Sequence, residues 1–398
     1  MPAQQCHRRT VAVLCGTERQ FYRDVLRGVG DYLQRHEDWT IASEPTLLPP
    51  ATLRRAHASI PRDCDGVIAL IGDEQQHLAL RQRGVAVVNL SSVYWHRDLP
   101  SVTTDSAALA ALAFEHFMER GFRTFAYCDL DRWSRSRREP FVDVVERAGF
   151  TCHAFTVEPS RSGDWRTGRD RGDLARWLAK LPKPVAILAH NDIRGRHLID
   201  VAVGQGIRVP EEACILGVDN ELPHCELCSP TLSSIETDAI RIGREAAALL
   251  DRAMVAGAGP GMHVRIPPRG VVTRRSTDVR ITRDPLVSEA MEYIGKHAIE
   301  GIDTSDVMRH LVVSRTALGR RFQRALGYSP HEAIVRARLE AARRLLHDTR
   351  LTVDVIAERT GFRHGEYLTA VFRRRCGMTP RAYRDGHVAP EGPPRSAK

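Results

Sequence analysis

The sequence lacks the segments that mark membrane and secreted proteins. Its 398 residues contain no apolar run of eighteen or more, which is the length that a helix needs to cross a bilayer. The first apolar run, residues 11–15, is too short for the core of a secretion signal. We therefore expect a cytoplasmic protein without a membrane partner. The length exceeds what one ordinary core requires and predicts two or three domains.

Motifs of common enzyme families are also missing. The sequence has no P-loop, no H-E-x-x-H, no G-x-S-x-G and no G-x-G-x-x-G after a predicted strand. We expect no cofactor and no catalytic residue. Cys225 and Cys228 form a C-x-x-C pair beside His224, but zinc would need a second pair of ligands, and a redox pair would open a helix. Metal or redox chemistry at this pair stays open as an alternative.

The positive charge is concentrated near the end of the chain. Residues 276–398 carry 22 Lys and Arg against 15 Asp and Glu, whereas the preceding 275 residues carry 36 against 34. A basic region on a nearly neutral body fits a polyanionic partner such as double-stranded DNA. A solvated basic surface would give the same counts, so charge alone does not decide between the two.

Most of the chain alternates between short apolar segments and amphipathic stretches. Segments that are apolar throughout are typical of parallel strands buried on both faces. Their alternation with helices predicts a doubly wound α/β architecture with parallel sheets. The predicted strands are residues 11–15, 66–71, 85–90, 125–128, 185–189 and 215–218, and the predicted helices are residues 25–33, 107–118, 142–148 and 194–203.

The pattern changes after a segment rich in Gly, Pro and Arg at residues 257–285, because only helical periodicity follows it. We predict a first domain over residues 1–275, a linker over 276–284, an all-α domain over 285–386 and a disordered tail over 387–398.

The all-α domain contains an internal repeat. Leu318-x3-Phe322-x4-Gly327-x2-Pro330 recurs 50 residues later, and the T-x-D-V sequence at Thr304 recurs 48 residues later at Thr352. Each copy reads as two helices joined by a turn. We predict that Thr304, Ser314 and Thr352 cap helices, that Gly327 ends one, and that Gly361 forms the second turn. A helix over residues 331–346 would join the copies.

A helix-turn-helix unit places its second helix in the major groove, where arginine binds guanine and phosphates attract other basic groups. A helical bundle with a basic surface is the alternative, which the repeat disfavours. The residues expected to face DNA are Arg315, Thr316, Gly319 and Arg320 in the first copy and Gly365, Glu366, Thr369, Arg373 and Arg374 in the second.

Three stretches of this domain, residues 351–362, 367–373 and 377–384, resemble the signature of the AraC-type regulators. The resemblance covers about residues 285–386. It implies a transcription regulator with two helix-turn-helix motifs.

In the first domain, polar residues follow the predicted strands at the edge where α/β sheets bind ligands. Asn, Asp and Arg side chains bond sugar hydroxyls, and aromatic rings cover the apolar face of a sugar. Ordinary caps and turns use the same polar residues, so each position has a structural alternative. The polar candidates are Asp105, Arg137, Asn191, Asp192 and Asp219, and the aromatic candidates are Phe21, Tyr22, Trp133 and Trp165.

Residues 188–192, 216–220 and 232–238 resemble motifs of the LacI/GalR-type sensor domain, which is similar to periplasmic binding proteins. The resemblance implies a two-lobe domain whose cleft is lined by Asp105, Arg137, Asn191 and Asp219. LacI-type regulators carry a helix-turn-helix before this domain, and here only about ten residues precede the first predicted strand. The DNA-binding function is therefore expected at the other end.

The combination resembles a family of bacterial activators of sugar-catabolic genes. It implies a D-xylose-like effector, a homodimer and, for an activator, contact with RNA polymerase. Residues 16–20, 70–73 and 91–95 depart from the family pattern on the cleft side, which leaves the sugar open. The alternatives are a regulator that responds to another sugar or small molecule, a regulator without an effector, and a hydrolase that uses paired carboxylates in a sugar cleft.

Overall fold

A computed structural model describes most of the chain, namely residues 8–36, 38–42, 60, 63–130, 134–158, 164–166, 168–256, 262–278, 284–376 and 379–385. The chain forms two compact units, one of residues 1–116 and 122–278 and the other of residues 117–121 and 279–398. Among the described residues, every helix is too short or too polar to cross a membrane.

The first unit contains two six-stranded sheets. The strands of the first sheet are β1 (Arg9–Leu14), β2 (Trp39–Ile41), β3 (Gly66–Ala69), β4 (Ala86–Asn89), β5 (Ser101–Thr104) and β11 (His263–Ile266). Those of the second are β6 (Phe125–Cys128), β7 (Cys152–Phe155), β8 (Val185–Ala189), β9 (Ala213–Val218), β10 (Ser233–Glu236) and β12 (Gly270–Val272). Their orders are β11-β5-β4-β3-β1-β2 and β12-β10-β9-β8-β6-β7. Strand β12 pairs antiparallel to β10, and the other pairs are parallel.

Helices connect these strands, as the predicted alternation requires. They are α1 (Gln20–Leu33), α2 (Glu74–Gln82), α3 (Ser106–Glu119), α4 (Arg135–Arg147), α5 (Arg171–Lys180), α6 (Asp192–Gly204), α7 (Leu222–Glu226) and α8 (Ala239–Ala256). Every predicted strand and helix of this region is present, with ends that shift by several residues. The prediction missed the strands that are short or polar, such as β5 with the sequence SVTT and β10 with the sequence SSIE.

The chain passes from one sheet to the other after β5, after β10 and after β11. The unit therefore has two lobes, each with its own core. In the first lobe Val11, Val25 and Leu249 are fully buried, and in the second Ile187, Leu198 and Ile215 are. This architecture confirms the predicted two-lobe α/β fold.

Helix α1 packs tightly against helix α8, and two glycines make this possible. A Cβ atom on Gly28 would overlap the carbonyl oxygen of Ile240, and one on Gly243 would overlap the carbonyl oxygen of Val25. The backbones touch because neither position carries a side chain. Helix α1 therefore lies directly against α8, and in the chain it follows β1.

The second unit is helical in its described part. Its helices are α9 (Pro285–His297), α10 (Thr304–Leu311), α11 (Arg315–Leu326), α12 (Pro330–Asp348), α13 (Val353–Arg359), α14 (Gly365–Cys376) and α15 (Pro380–Asp385). One core surrounds Leu318 and Phe322, and the other surrounds Leu368 and Phe372. Helix α12 contributes to both cores, so the predicted connecting helix is confirmed and joins two helix-turn-helix pairs.

The helix ends agree with the predicted caps, with one exception. Ser314 accepts a hydrogen bond from the Ala317 amide, Thr352 accepts one from the Val355 amide, and Gly327 ends α11 with φ of 80°. The prediction that Thr304 caps α10 is wrong, because Asp303 holds that place and forms a capping box with Asp306. An aspartate one residue earlier offers a stronger acceptor for the first amides of the helix.

Candidate functional site

Two predicted residues meet at the carboxyl ends of the second sheet. Arg137, in the first turn of α4, donates to Asp219 Oδ1 at 3.0 Å and to the carbonyl oxygen of His190 at 2.8 Å. The two side chains are 13% and 9% exposed, so the ion pair is largely shielded from water. Burial is the largest single effect and lowers the pKa of the Arg137 guanidinium, but Asp219, Tyr127 and Asp192 together outweigh it, so the net shift of the pKa is upward.

Asp219 lies in a strained part of the backbone. Its φ is 95° and that of Asn220 is 52°, both in the region that glycine favours. The Asp219 carboxylate that bonds to Arg137 is thus carried by a left-handed turn directly after strand β9. Strain of this kind is typical of functional sites.

The ring of His190 lies beside the same ion pair. Its Nδ1 is 3.2 Å from the hydroxyl of Tyr127, whose side chain is fully buried. Burial, together with the positive charges of Arg137 and Arg19, lowers the pKa of His190 well below 6.5. The ring is therefore neutral near pH 7 and offers one donor and one acceptor nitrogen.

Asn191 and Asp192 follow strand β8, and both have structural roles. Asn191 caps helix α6, since its side-chain oxygen accepts from the Arg194 amide at 3.1 Å. Asp192 accepts from Ser234 Oγ at 2.5 Å and from the Glu221 amide at 2.6 Å, so both of its carboxylate oxygens are used inside the protein. The amide nitrogen of Asn191 makes no hydrogen bond to another described residue, whereas Asp192 supports the site from behind.

The first lobe contributes aromatic side chains from the first turn of α1. The rings of Phe21 and Tyr22 are 5.6 Å apart and meet edge to face. Burial raises the pKa of the Tyr22 hydroxyl, the charge of Arg19 opposes this shift, and the charges of Glu18 and Asp219 add to it. The charge of Asp219, in the other lobe, thus acts on the Tyr22 hydroxyl.

The remaining candidates make other contacts or lie outside the described residues. Asp105, at the end of β5, accepts through Oδ1 from the amides of Ala107 and Ala108 at 3.0 Å and so starts helix α3. Trp165 is half-buried, with its ring 6.1 Å from that of His197. Trp133 lies outside the described residues.

Sequence reasoning missed two contributors to this cleft, Tyr127 and Glu221. Tyr127 stands inside an apolar strand and carries no sequence signal of a polar role. Glu221 follows the Asp219–Asn220 turn, and its carboxylate accepts from the Gln20 amide at 3.4 Å, which joins the two lobes at the start of α1. A position directly after a strand end could have indicated Glu221.

The cleft thus combines charged, amide and imidazole groups with two aromatic rings. Such a set can bond several hydroxyl groups at once while a ring covers an apolar face. No described residue group of three or more His, Cys, Asp and Glu could hold a metal ion.

The C-x-x-C pair has no reactive geometry. Cys225 is fully buried in helix α7, and Cys228 Sγ donates to the carbonyl oxygens of His224 and Cys225. Burial raises the pKa of both thiols, which disfavours the thiolate that redox chemistry and metal binding require.

The second unit presents basic side chains on helix α11. Arg315, Thr316 and Arg320 are exposed and Gly319 is partly exposed, opposite the buried Leu318 and Phe322. The side chains of Arg315 and Arg320 make no ion pair with another described residue. The predicted face is therefore open to an anionic partner.

Helix α14 of the second copy has a different distribution. Glu366, Arg373 and Arg374 are exposed and Thr369 is partly exposed. The placement of Gly365 on this exposed face does not hold, because Gly365 is buried and a Cβ there would overlap the carboxylate of Asp354. Its lack of a side chain serves the contact between α13 and α14.

Family models match both units. A model described as a periplasmic binding protein-like domain matches residues 114–277, and one described as a helix-turn-helix domain matches residues 307–386. The chain is 33% identical to the xylose operon regulatory protein of Escherichia coli, over 95% of this chain and 97% of that protein. It is 30% identical to the xylose operon regulatory protein of Haemophilus influenzae, over 94% of this chain and 97% of that protein.

Two solved structures also match this chain. A xylose-binding transcription activator matches with a TM-score of 0.58 and 32% identity, over 95% of this chain and 98% of that one. A complex of the transcriptional regulator CelR with cellobiose matches with a TM-score of 0.55 and 20% identity, over 68% of this chain and 85% of that one, and supports the fold alone.

Proposed function

The chain belongs to the family of the xylose operon regulatory proteins, and from this premise we propose that it activates pentose catabolic genes in response to D-xylose. Its relatives are regulators of transcription, so the prediction of a DNA-binding regulator rather than an enzyme is confirmed. The observation that carries the proposal is the Arg137–Asp219 pair, two residues from the Glu221 carboxylate that bonds to Gln20 of the facing lobe, in a chain that also has two helix-turn-helix pairs.

We assign the sugar to the cleft between the lobes. Asp219, Arg137 and the amide of Asn191 would bond its hydroxyls, with Asp105 at the crossover between the lobes. Phe21 would cover its apolar face, and we propose the same role for Trp133. Asp192 would act by holding the Asn191 and Glu221 segments in place.

Contacts from both lobes would favour the closed form of the cleft, so the sugar shifts the population by its higher affinity for that form. In this proposal residues 1–275 bind the sugar and residues 285–386 bind DNA, with the reading residues on α11 and α14. We further propose a homodimer that binds two half-sites, recruits RNA polymerase and works in the cytoplasm, where its DNA is.

The test is a binding titration of the full chain on the DNA upstream of its own gene, at one stated salt concentration. D-xylose should change the apparent affinity, while D-ribose, L-arabinose and D-glucose should act weakly. Calorimetry with the same sugars measures binding separately. A chain that binds none of them, with no rise in melting temperature, contradicts the sensor role.

Asp219→Asn gives the sharper variant, because it removes the charge and keeps the shape. Sugar binding should weaken at least tenfold, while DNA affinity without sugar stays within about threefold. Asp143→Asn is the matched control, since Asp143 is an exposed partner of Arg147 on helix α4. Loss of sugar binding in the control, or full binding in Asp219→Asn, would overturn the assignment.

A further inference from the structure

The strained turn after β9 needs support from outside itself. A non-glycine residue in the left-handed region costs about 1–2 kcal/mol, and here two stand in succession, Asp219 and Asn220. The backbone amide of Asp219 donates to the carbonyl oxygen of Ile235 at 2.9 Å. The amide of Asn220 donates to Ser234 Oγ at 3.0 Å. Both acceptors belong to the neighbouring strand β10.

The side chain of Asn220 has a partner much later in the chain. Arg274 Nη2 donates to Asn220 Oδ1 at 2.9 Å, across a separation of 54 residues. Arg274 Nη1 donates to the carbonyl oxygen of Leu232 at 3.0 Å. The guanidinium therefore holds the turn with one nitrogen and the start of β10 with the other, as its planar fork permits.

The backbone of Arg274 is equally constrained. Its amide donates to Ser233 Oγ at 2.7 Å, and its carbonyl oxygen accepts from the same hydroxyl at 2.8 Å. Two residues later, Ser276 Oγ donates to the carbonyl oxygen of Ile215 in β9 at 2.6 Å. Ser233 and Ser276 are both fully buried. Hydrogen bonds thus join the turn, strands β9 and β10 and the segment of residues 274–277.

This segment is where the chain leaves the sensing unit. Residues 276–278 are its last described residues, and the chain continues through residues 279–283 to helix α9, which begins at Pro285. The hydrogen bonds therefore connect the turn that contains Asp219, which we assign to the sugar, to the segment from which the chain continues to the DNA-binding unit. Nothing in this path requires a residue of the second unit.

We propose that Arg274 is a positioning residue that couples sugar occupancy at Asp219 to the exit segment through its hydrogen bond with Asn220. The inference rests on the proposed function and adds the route by which the signal leaves the cleft. Sugar contact with Asp219 changes the conformation of the turn, and the Arg274 fork moves residues 274–277 with it. Loss of the fork leaves both binding activities in place and disconnects them.

The experiment measures the coupling factor, which is the ratio of operator Kd values of the full chain without and with saturating D-xylose. Coupling factors in allosteric proteins typically lie between about 5 and 150. Arg274→Ala should bring the factor close to one, while sugar Kd by calorimetry and operator Kd without sugar each change by less than about threefold. A role in stability alone would lower the melting temperature and leave the factor unchanged.

Arg275→Ala is the matched control. It removes the same charge one residue later, and the Arg275 side chain is exposed and bonds to no other described residue. It should keep the wild-type factor. Arg274→Lys should lose the coupling as Arg274→Ala does, because an ammonium cannot present the same two nitrogens, and it provides the measurement if the alanine variant fails to fold.

Asn220→Gly removes the acceptor at the other end and relaxes the strained φ. If Arg274 and Asn220 act through one bond, the double variant should have the same factor as either single variant. A wild-type factor in Arg274→Ala and Arg274→Lys, or an equal loss in Arg275→Ala, overturns the inference. A factor of one in the wild-type chain with every sugar tested overturns the proposed function, and the coupling inference with it.

Discussion

The two helix-turn-helix copies share a plan and differ at the turn. Between α10 and α11 the turn has the residues 312–314, and between α13 and α14 it has the residues 360–364. The longer second turn explains why the repeat is offset by 48 residues in the first helices and by 50 in the second helices. In the first copy the left-handed residue is Val312, with φ of 51°, and in the second it is Gly361, with φ of 76°.

This difference shows that the two copies meet unequal constraints. Val312 is 92% exposed, so packing of its side chain does not offset the strain in its backbone. A Cβ on Gly361 would lie 2.7 Å from the carbonyl oxygen of Ala298 and 3.0 Å from Arg338 Nε. Gly361 of the second turn is therefore packed closely against Ala298 and Arg338, whereas Val312 of the first turn is exposed to solvent.

The copies also differ in where their arginines stand. The first copy has Arg315 and Arg320 in the first two turns of its second helix, the part that enters the major groove. The second copy has Glu366 near the start of α14 and Arg373 and Arg374 in its last turn. We infer that the first copy reads bases and that the second contributes more through phosphates.

The largest effect is expected from Gly361→Ala. An alanine here would have to adopt a left-handed backbone, and its Cβ would lie too close to the carbonyl oxygen of Ala298. The substitution should therefore destabilise the second unit by about 2–4 kcal/mol. Urea unfolding of the full chain by far-UV circular dichroism measures it. Tryptophan fluorescence reports the first unit separately, because all five tryptophans precede residue 279.

Gly295→Ala is the control for that measurement. Gly295 lies in helix α9 with open space around its Cβ position, so alanine should stabilise the unit by roughly 1 kcal/mol. An unchanged unfolding curve for Gly361→Ala would show that the second turn is as open as the first.

Arg320→Ala tests the difference in DNA reading. It should weaken operator binding by about 1–3 kcal/mol and reduce discrimination at one base pair, with sugar binding intact. Arg321→Ala serves as the control, because Arg321 pairs with Asp284 and points away from the proposed groove-facing side.

Arg374→Ala completes that comparison in the second copy. It should weaken binding to all sequences alike and lower the salt slope by about one. If Arg374→Ala changes sequence preference and Arg320→Ala does not, the roles of the two copies are reversed.

Val312→Gly should produce a smaller effect of opposite sign to Gly361→Ala. Release of the left-handed strain exceeds the added backbone entropy of glycine, so the second unit should gain about 0.5–1 kcal/mol. The same urea titration checks this. A loss of stability would mean that the exposed valine makes a contact that offsets its strain.

The smallest effect concerns the caps of the first helices. Hydrogen bonds from the amides of Ser305 and Asp306 lower the pKa of Asp303, whereas the cap of the second copy is Thr352, which does not titrate. Because folding lowers the pKa of Asp303, its carboxylate stabilises the folded chain at pH values above the usual pKa near 3.8. This stability is lost as the pH falls through the lowered pKa of the folded state. Asp303→Asn should therefore flatten the dependence of the urea midpoint on pH below 4, and Thr352→Asn should not.

Local signals in the sequence were sufficient for much of the fold. Strands β6 and β8 are apolar throughout, and their predicted bounds match the structure. Strands β5 and β10 are short and contain Ser and Thr, so their composition resembles that of a loop and does not indicate a strand. A cap is also a local signal, but the choice between Asp303 and Thr304 depended on backbone geometry at one residue.

The amino-acid sequence by itself determined the alternation of helices and strands, the duplicated helix pairs and the basic face, since these depend on residues within a few turns of each other. Only the tertiary structure decided the cleft. Arg137 and Asp219 are 82 residues apart and meet because β6, β8 and β9 end at the same edge of one sheet. The tertiary structure also buried Gly365 against Asp354 and directed Arg274 to Asn220, because packing between distant segments decides which side of each residue is free.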